Sequence, residues 1–362
     1  MLRSVRLRNF RNHADFRADL GRRTVLSGSN GSGKTSVLEA VYCLLNASFA
    51  FGRPIDEVVS VGAESSAITG VLSAEGGAYG ETYVVSLDPV ARKARLSREK
   101  AAASRPDYLA RSPLRAVLFH PAEMNILSLA PSLRRDFLDE ILSTAHPEFS
   151  VVRREYAQAL TSRNKMLKAI RERKTSPDDL DLWDRLFAER AGAFLGYRLR
   201  LIDELRAFVP EIERILANRY RLIFSYESRA DPRDPEGSIL RHCRTNRDRD
   251  ILTGHASAGP HTDDLVISAC DSVGYERRAS EYLSRGETKT LLLGLKAFQV
   301  SYIRSGMNKE IVLLFDDLFS ELDRDHVDFV LSLFPHEQAI FTSQSERGEA
   351  FASASGASVV SL

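Results

Sequence analysis

One octapeptide restricts the folds open to this chain more than any other feature. Gly28-Ser29-Asn30-Gly31-Ser32-Gly33-Lys34-Thr35 fits G-x-x-x-x-G-K-[ST], the phosphate-binding P-loop. Thr24-Val25-Leu26 in front reads as a strand, and Ser36-Val37-Leu38-Glu39-Ala40-Val41 behind reads as a helix. The strand delivers the chain to a turn whose glycines tolerate positive φ, so that backbone can approach phosphate. The exposed N–H groups and the positive end of the helix then face the anion. In that geometry Lys34 reaches the β/γ-phosphates and the Thr35 hydroxyl binds Mg²⁺. Gly28 through Ser36 is therefore the candidate nucleotide site, with a nucleoside triphosphate and Mg²⁺ as the expected ligands. A Gly/Ser-rich turn ending by chance in Lys-Thr is the bland alternative, and the strand-then-helix context argues against it.

The 362 residues suffice for two domains, or for one domain carrying a large insertion. A hydrophobic content of 43% with 27% charged residues is that of a globular protein. No apolar run reaches the roughly 18 residues of a membrane span, and Met1–Arg6 lacks the apolar core of an export signal. Cys43, Cys243 and Cys270 lie far apart without metal-ligand spacing, which argues for a reducing, cytoplasmic location and against a zinc site. The net charge of +1 conceals segregation. Val90–Arg115 and Ser150–Lys174 each hold eight Lys/Arg against two acids, whereas Glu310–Leu362 holds ten acids against two Arg. Such sorting suits one face to a polyanion, although any single run could be no more than a solvated surface.

In chain order, residues 1–27 read as three strands, the third entering the P-loop. The helix after it should bury Val37, Leu38, Val41, Leu44 and Leu45 on one face against a sheet. Short β-like runs between Ala67 and Leu96, punctuated by Gly76-Gly77 and Asp88-Pro89, predict an antiparallel meander, with a further strand at Ala116–Phe119. Amphipathic helices are expected from about Pro131, from Val151 to Arg173, and from Asp178 to Pro210, as a satellite helical hairpin. Residues 228–260, rich in Arg, Asp, Pro and Gly, read as a mobile connector. Strand character returns at Leu265–Ala269, a helix at Gly286–Arg304, a buried strand at Ile311–Phe315 and another at Ala339–Thr342.

Two more constellations carry chemistry. Ile311–Phe315 ends in Asp316-Asp317, which suits Asp316 to hold Mg²⁺ opposite Thr35 and Asp317 to act as base or to position water. Leu283-Ser284-Arg285-Gly286 precedes a helix, and Ser320-Glu321-Leu322-Asp323 follows the acids. Alone, Ser-x-Gly is a common helix cap. In this order, however, the series resembles that of ABC-type ATPases. That resemblance implies an α/β ABC-type ATPase head, with a mixed sheet and an antiparallel β-subdomain, at 1–125 and 260–362. An inserted α-helical domain with its connector would occupy 126–259. It also implies an ATP-dependent homodimer in which Ser284 and Gly286 face the ATP of the other subunit, so that Lys34, Asp317 and Ser284 together carry hydrolysis.

The chain further resembles the RecF family of recombination and repair proteins. Leu7-Arg8-Asn9-Phe10-Arg11-Asn12, Pro131-Ser132-Leu133-Arg134-Arg135-Asp136-Phe137-Leu138-Asp139 and Gly259-Pro260-His261-Thr262-Asp263-Asp264-Leu265 are similar to elements of that family. Membership would imply DNA binding at gaps or junctions, mainly through phosphates. It would also imply work with RecO and RecR to load RecA, a weak DNA-stimulated ATPase, and a nucleoid-associated location. Thr262 stands where the family usually has Arg, Glu287 replaces the commoner Gln, and the ABC switch His has no clear counterpart near Phe341-Thr342-Ser343-Gln344. His120-Pro121-Ala122-Glu123 occupies the Q-loop neighbourhood. The head of an SMC-type structural-maintenance ATPase is the main alternative, and the interval from Lys34 to Asp316 is short for its coiled-coil arm. A transporter motor or a P-loop kinase would have less use for these elements.

Overall fold

The computed structural model describes all residues except 51–52, 74–79, 121–122, 124–125, 128–129, 272–273, 308, 318–323, 345–349 and 354, and the side chains of 324–328. The first elements are β1 (Leu2–Phe10), β2 (His13–Asp19), β3 (Arg23–Ser27), α1 (Lys34–Asn46) and α2 (Ile55–Val58). Next come β4 (Ser66–Leu72), β5 (Glu81–Asp88), β6 (Lys93–Arg98), β7 (Ala101–Ala103), α3 (Arg105–Arg111) and β8 (Leu114–Phe119). The middle of the chain forms α4 (Pro131–Ala145), α5 (Phe149–Arg171), α6 (Leu180–Ile215), β9 (Arg221–Glu227), α7 (Pro235–Thr245) and α8 (Arg247–Thr253). It continues through β10 (Asp264–Cys270), β11 (Glu276–Arg278), α9 (Ala279–Tyr282) and α10 (Arg285–Met307). Last are β12 (Glu310–Phe315), α11 (Arg324–Leu333), β13 (Gln338–Ser343) and β14 (Ser358–Ser361). The chain divides into two compact units, Met1–Glu123 with Gln299–Leu362, and Met124–Phe298.

In the first unit, an antiparallel sheet of order β2-β1-β4-β5-β6-β7 and a parallel sheet of order β14-β3-β13-β12-β8 share one core. Helix α1 contributes Val37, Leu38, Val41, Leu44 and Leu45 to it, alongside Leu7, Ile68 and Val85 of one sheet and Leu26, Leu314 and Ile340 of the other. Every α1 residue from Ser36 to Asn46 is buried, not just the single face that the apolar spacing predicted, because the helix serves both sheets. The tail, which carries no strand signal beyond Val359-Val360, adds β14 in parallel to β3.

The second unit holds the helical hairpin of α5 and α6, and a three-stranded sheet of order β11-β10-β9 that the sequence reading lacked. β10 pairs antiparallel with β9 from Asp264↔Glu227 to Cys270↔Arg221. The sequence placed the return to the ATPase domain at 260; this pairing keeps 221–270 within the second unit, and the division falls inside α10. The expected connector is structured. Asp234 caps α7 by accepting from Gly237 N at 3.0 Å, and Ile239, Cys243 and Asp250 are buried. Helix α6 does not stop at Pro210 but runs on to Ile215. Packing overrides the breaker on either side of it. Phe208 meets Phe298 at 5.7 Å between ring centroids, and Ile212 lies so close to Gly294 that a Cβ there would meet its Cγ2 at 2.7 Å.

Candidate nucleotide site

β3 delivers the chain to the P-loop, where Gly31 and Gly33 take φ of +83° and +101°. Gly33 is required twice over. Its φ disfavours a side chain, and a Cβ would meet His13 Nε2 at 2.3 Å. The β1–β2 turn buttresses the loop, with Asn12 Nδ2 donating to Gly31 O at 3.4 Å and His13 Nε2 lying 3.0 Å from Gly33 O. The Phe-Arg-Asn stretch thus has a local task, which the neighbouring His13 shares. Lys34 Nζ donates to Gly28 O and Ser29 O at 2.8 and 2.7 Å, folding back over its own loop. Ser32 Oγ is buried without a hydrogen-bond partner among the described residues. A buried orphan hydroxyl among glycine N–H groups fits an anion-binding cradle.

The strand order then brings distant residues together. The P-loop follows β3, Asp316 follows β12, and β13 lies between these two strands. Thr35 Oγ1 donates to Asp316 Oδ1 and Oδ2 at 3.0 and 3.1 Å. Thr342, at the end of β13, donates its hydroxyl to Asp316 Oδ1 at 2.8 Å and accepts the Asp317 N–H at 2.7 Å. From the end of β8, His120 Nε2 comes within 3.4 Å of Asp316 Oδ2. Phe119, Phe315 and Phe341, one residue short of these polar ends, pack ring to ring at 4.4 and 4.9 Å and hold the three strand ends together. Glu39, on α1, is buried against Arg11 at 2.6 Å and Arg53 at 3.4 Å. Burial pushes its carboxyl above the usual range, against the pull of the two guanidiniums. Thr35 and Asp316 offer hard oxygen donors of the kind Mg²⁺ takes, so the residues present fit that ion. No sequence motif marks Thr342 or His120 as a site residue; the signal each carries is a polar residue closing an apolar strand run.

Ser284 and Gly286 lie in the second unit. Ser284 and Glu287 form a capping box at the start of α10. Ser284 Oγ and N donate to Glu287 Oε2 at 2.7 and 3.0 Å, and Glu287 N donates back to Ser284 Oγ at 3.3 Å. Tyr220 Oη donates to the other carboxylate oxygen at 2.9 Å. These bonds, Ser284 first, hold the Glu287 carboxyl below the usual range. Gly286 is exposed, and a Cβ there would meet nothing. Ser320–Asp323 lies outside the described residues.

The other two motifs of the second unit meet each other. Arg134 binds Asp264 through two bonds of 2.8 and 2.9 Å. Asp139 binds Arg198 at 2.9 and 3.0 Å, and Arg198 also donates to Pro260 O at 2.7 Å. Tyr226 Oη donates to Asp263 at 2.9 Å, and Tyr156 Oη lies 2.6 Å from His261 Nδ1. Thr262 caps the turn by donating to Gly259 O at 2.9 Å. These pairs satisfy groups that would be costly to bury alone.

A family model described as the AAA ATPase domain matches residues 1–86. The DNA replication and repair protein RecF of Anaeromyxobacter dehalogenans is 32% identical over 360 residues, covering 96% of this chain and 93% of the relative. The chain belongs to the RecF family. RecF of Ruminiclostridium cellulolyticum is 27% identical, covering 94% of this chain and 92% of its own. A solved structure of the recombination mediator protein RecF with ATP, in the RecFOR pathway, matches with a TM-score of 0.84 at 23% identity. It covers 95% of this chain and 92% of that one, and the likeness is one of fold. The ABC-type ATPase fold read from the P-loop, Ser-x-Gly and Asp-Asp series is therefore that of a RecF chain. No helix among the described residues is long and apolar enough to cross a membrane.

Proposed function

We propose that this RecF-family chain is an ATP-dependent DNA-binding ATPase of recombinational repair, working as a head-to-head dimer in the cytoplasm, on the nucleoid. The observation that carries the reading is the Thr35–Asp316 bond, which joins P-loop and strand-end acid into one hard-oxygen site. Lys34 would leave its backbone carbonyls for the β/γ-phosphates. Thr35 and, through water, Asp316 would hold Mg²⁺, whose charge neutralises the phosphates when bound. Asp317 would orient the attacking water. Ser284 and the open approach at Gly286 would complete the pocket of a second copy. Closure on ATP would let the dimer clamp DNA at gaps or junctions through phosphate contacts. Slow, DNA-stimulated hydrolysis would reopen it. RecR and RecO would be its partners, as the RecFOR pathway of the solved RecF suggests, and the family resemblance extends that work to loading RecA.

The test is binding to a gapped duplex with ATPγS, ADP or no nucleotide, over a salt series. Binding that needs ATPγS and weakens steeply with salt supports the reading. Equal binding in all three nucleotide states would sink it.

A further inference from the structure

Thr342 is 1% exposed, at the end of the strand that separates β3 from β12. A hydroxyl has one proton. With that proton given to Asp316 Oδ1 at 2.8 Å, a lone pair takes the N–H of Asp317 at 2.7 Å. Both bonds act on the acids at once. Asp316 Oδ1 accepts from Thr342 on one side and Thr35 on the other, which fixes the carboxylate plane. Asp317 has φ of +48°, a left-handed conformation uncommon for a residue with a Cβ, though less so for Asp, which a fixed hydrogen bond can hold. The bond to its N–H is such a hold.

We propose that Thr342 is a positioning residue of the nucleotide site: one hydroxyl aims Asp316 at Thr35 and turns the chain at Asp317, so that two adjacent acids serve different tasks. The inference rests on the reading of Thr35 and Asp316 as the Mg²⁺ end of that site. Valine would match threonine in shape but leave Asp317 N–H and one acceptor position of Asp316 unfilled. Serine would keep both bonds.

The full chain with Thr342→Val, Thr342→Ser or Asp316→Asn is titrated with ATPγS, in Mg²⁺ and in EDTA, by calorimetry. Mn²⁺ bound in the presence of ATPγS is counted by electron paramagnetic resonance. Thr342→Val should lose on the order of tenfold of the gain in affinity that Mg²⁺ confers, with affinity in EDTA unchanged, and Thr342→Ser should retain the gain. A merely structural threonine would alter the melting temperature and leave that gain alone. If Thr342→Val keeps the full gain while Asp316→Asn loses it, the role of Thr342 is refuted and the metal site stands. If Asp316→Asn keeps it as well, both fail. Should Thr342→Val not fold, Thr342→Ala is read in the same way.

Discussion

Thr35 Oγ1 donates to Asp316 at 3.0 Å across 281 positions of sequence. The bond forms because β13 alone separates their strands and all three run parallel. Thr35→Val should therefore leave ATP affinity in EDTA near that of the parent and remove most of the gain due to Mg²⁺. One charge-assisted hydrogen bond corresponds to about 1.5–3 kcal/mol, or roughly tenfold or more in affinity. Calorimetry with and without Mg²⁺ measures the difference directly.

The pairing of Asp139 with Arg198, 8% and 3% exposed, makes a prediction about stability. Asp139→Ala leaves a buried guanidinium without its carboxylate and should cost about 3–5 kcal/mol in urea unfolding of the full chain. Arg214→Ala, by contrast, loses a surface pair with Glu211 and should cost under about 1 kcal/mol. Equal losses would mean that the inner pair is not what holds the two motifs together.

His261 sets a pH dependence. Its Nε2 faces Ala256 O at 3.1 Å and its Nδ1 faces the Tyr156 hydroxyl, so the neutral ring with the proton on Nε2 satisfies both. Burial lowers its pKa from the ordinary 6.5, and His242 shifts in the same direction. A base depressed in the folded state contributes stability above its unfolded pKa. That contribution is lost as pH falls from about 6.5 through the folded value. Urea midpoints at pH 7.5 and 5.5 should differ less for His261→Gln than for the parent.

Glu287 places a carboxylate on the two groups of Ser284 that a phosphate would need. Glu287→Gln keeps the capping box and removes the charge. It should therefore lower, severalfold, the protein concentration at which ATP drives self-association, with helix stability unchanged. An unaltered concentration dependence would mean that Glu287 is only a cap.

The basic run Val90–Arg115 is not one surface. Arg115 is fully buried, donating to Leu114 O and Leu109 O, and burial lowers its pKa to about 10. Arg105 serves Ala47 O, whereas Lys93, Arg95 and Lys100 are exposed. Changing those three to Glu should weaken binding to gapped DNA severalfold at low salt and leave ATP affinity alone. Arg115→Glu should instead prevent folding. Filter binding and circular dichroism separate the two outcomes.

The geometry of the P-loop was legible because it is local: eight consecutive residues, a strand before and a helix after. Asp316 was legible because a continuous apolar run ends on it. Thr342, His120 and His13 were not, because their contacts depend on strand order and on which turn covers the loop. The Pro131–Asp139 and Gly259–Leu265 motifs could be read as motifs. That Arg134 meets Asp264 is long-range information which neither segment carries. Pro210 misled because tertiary packing outweighed local propensity. Residues 228–260 misled because their Arg, Asp, Pro and Gly, read as a linker, include a capped helix start at Asp234-Pro235. Arg163, counted in a basic run, is buried between Asp184 and Asp250 at 2.8 and 2.9 Å.

If the site at Lys34 and Thr35 is completed by Ser284 of a second copy, self-association must depend on the nucleotide. Sedimentation velocity of the parent, Lys34→Met and Ser284→Arg, each with and without ATPγS and Mg²⁺, decides this. A nucleotide-dependent dimer is expected for the parent alone, with Ser284→Arg binding ATPγS normally yet remaining monomeric. A parent that stays monomeric with saturating ATPγS, or a Ser284→Arg chain that dimerises as well as the parent, would remove Ser284 from the site.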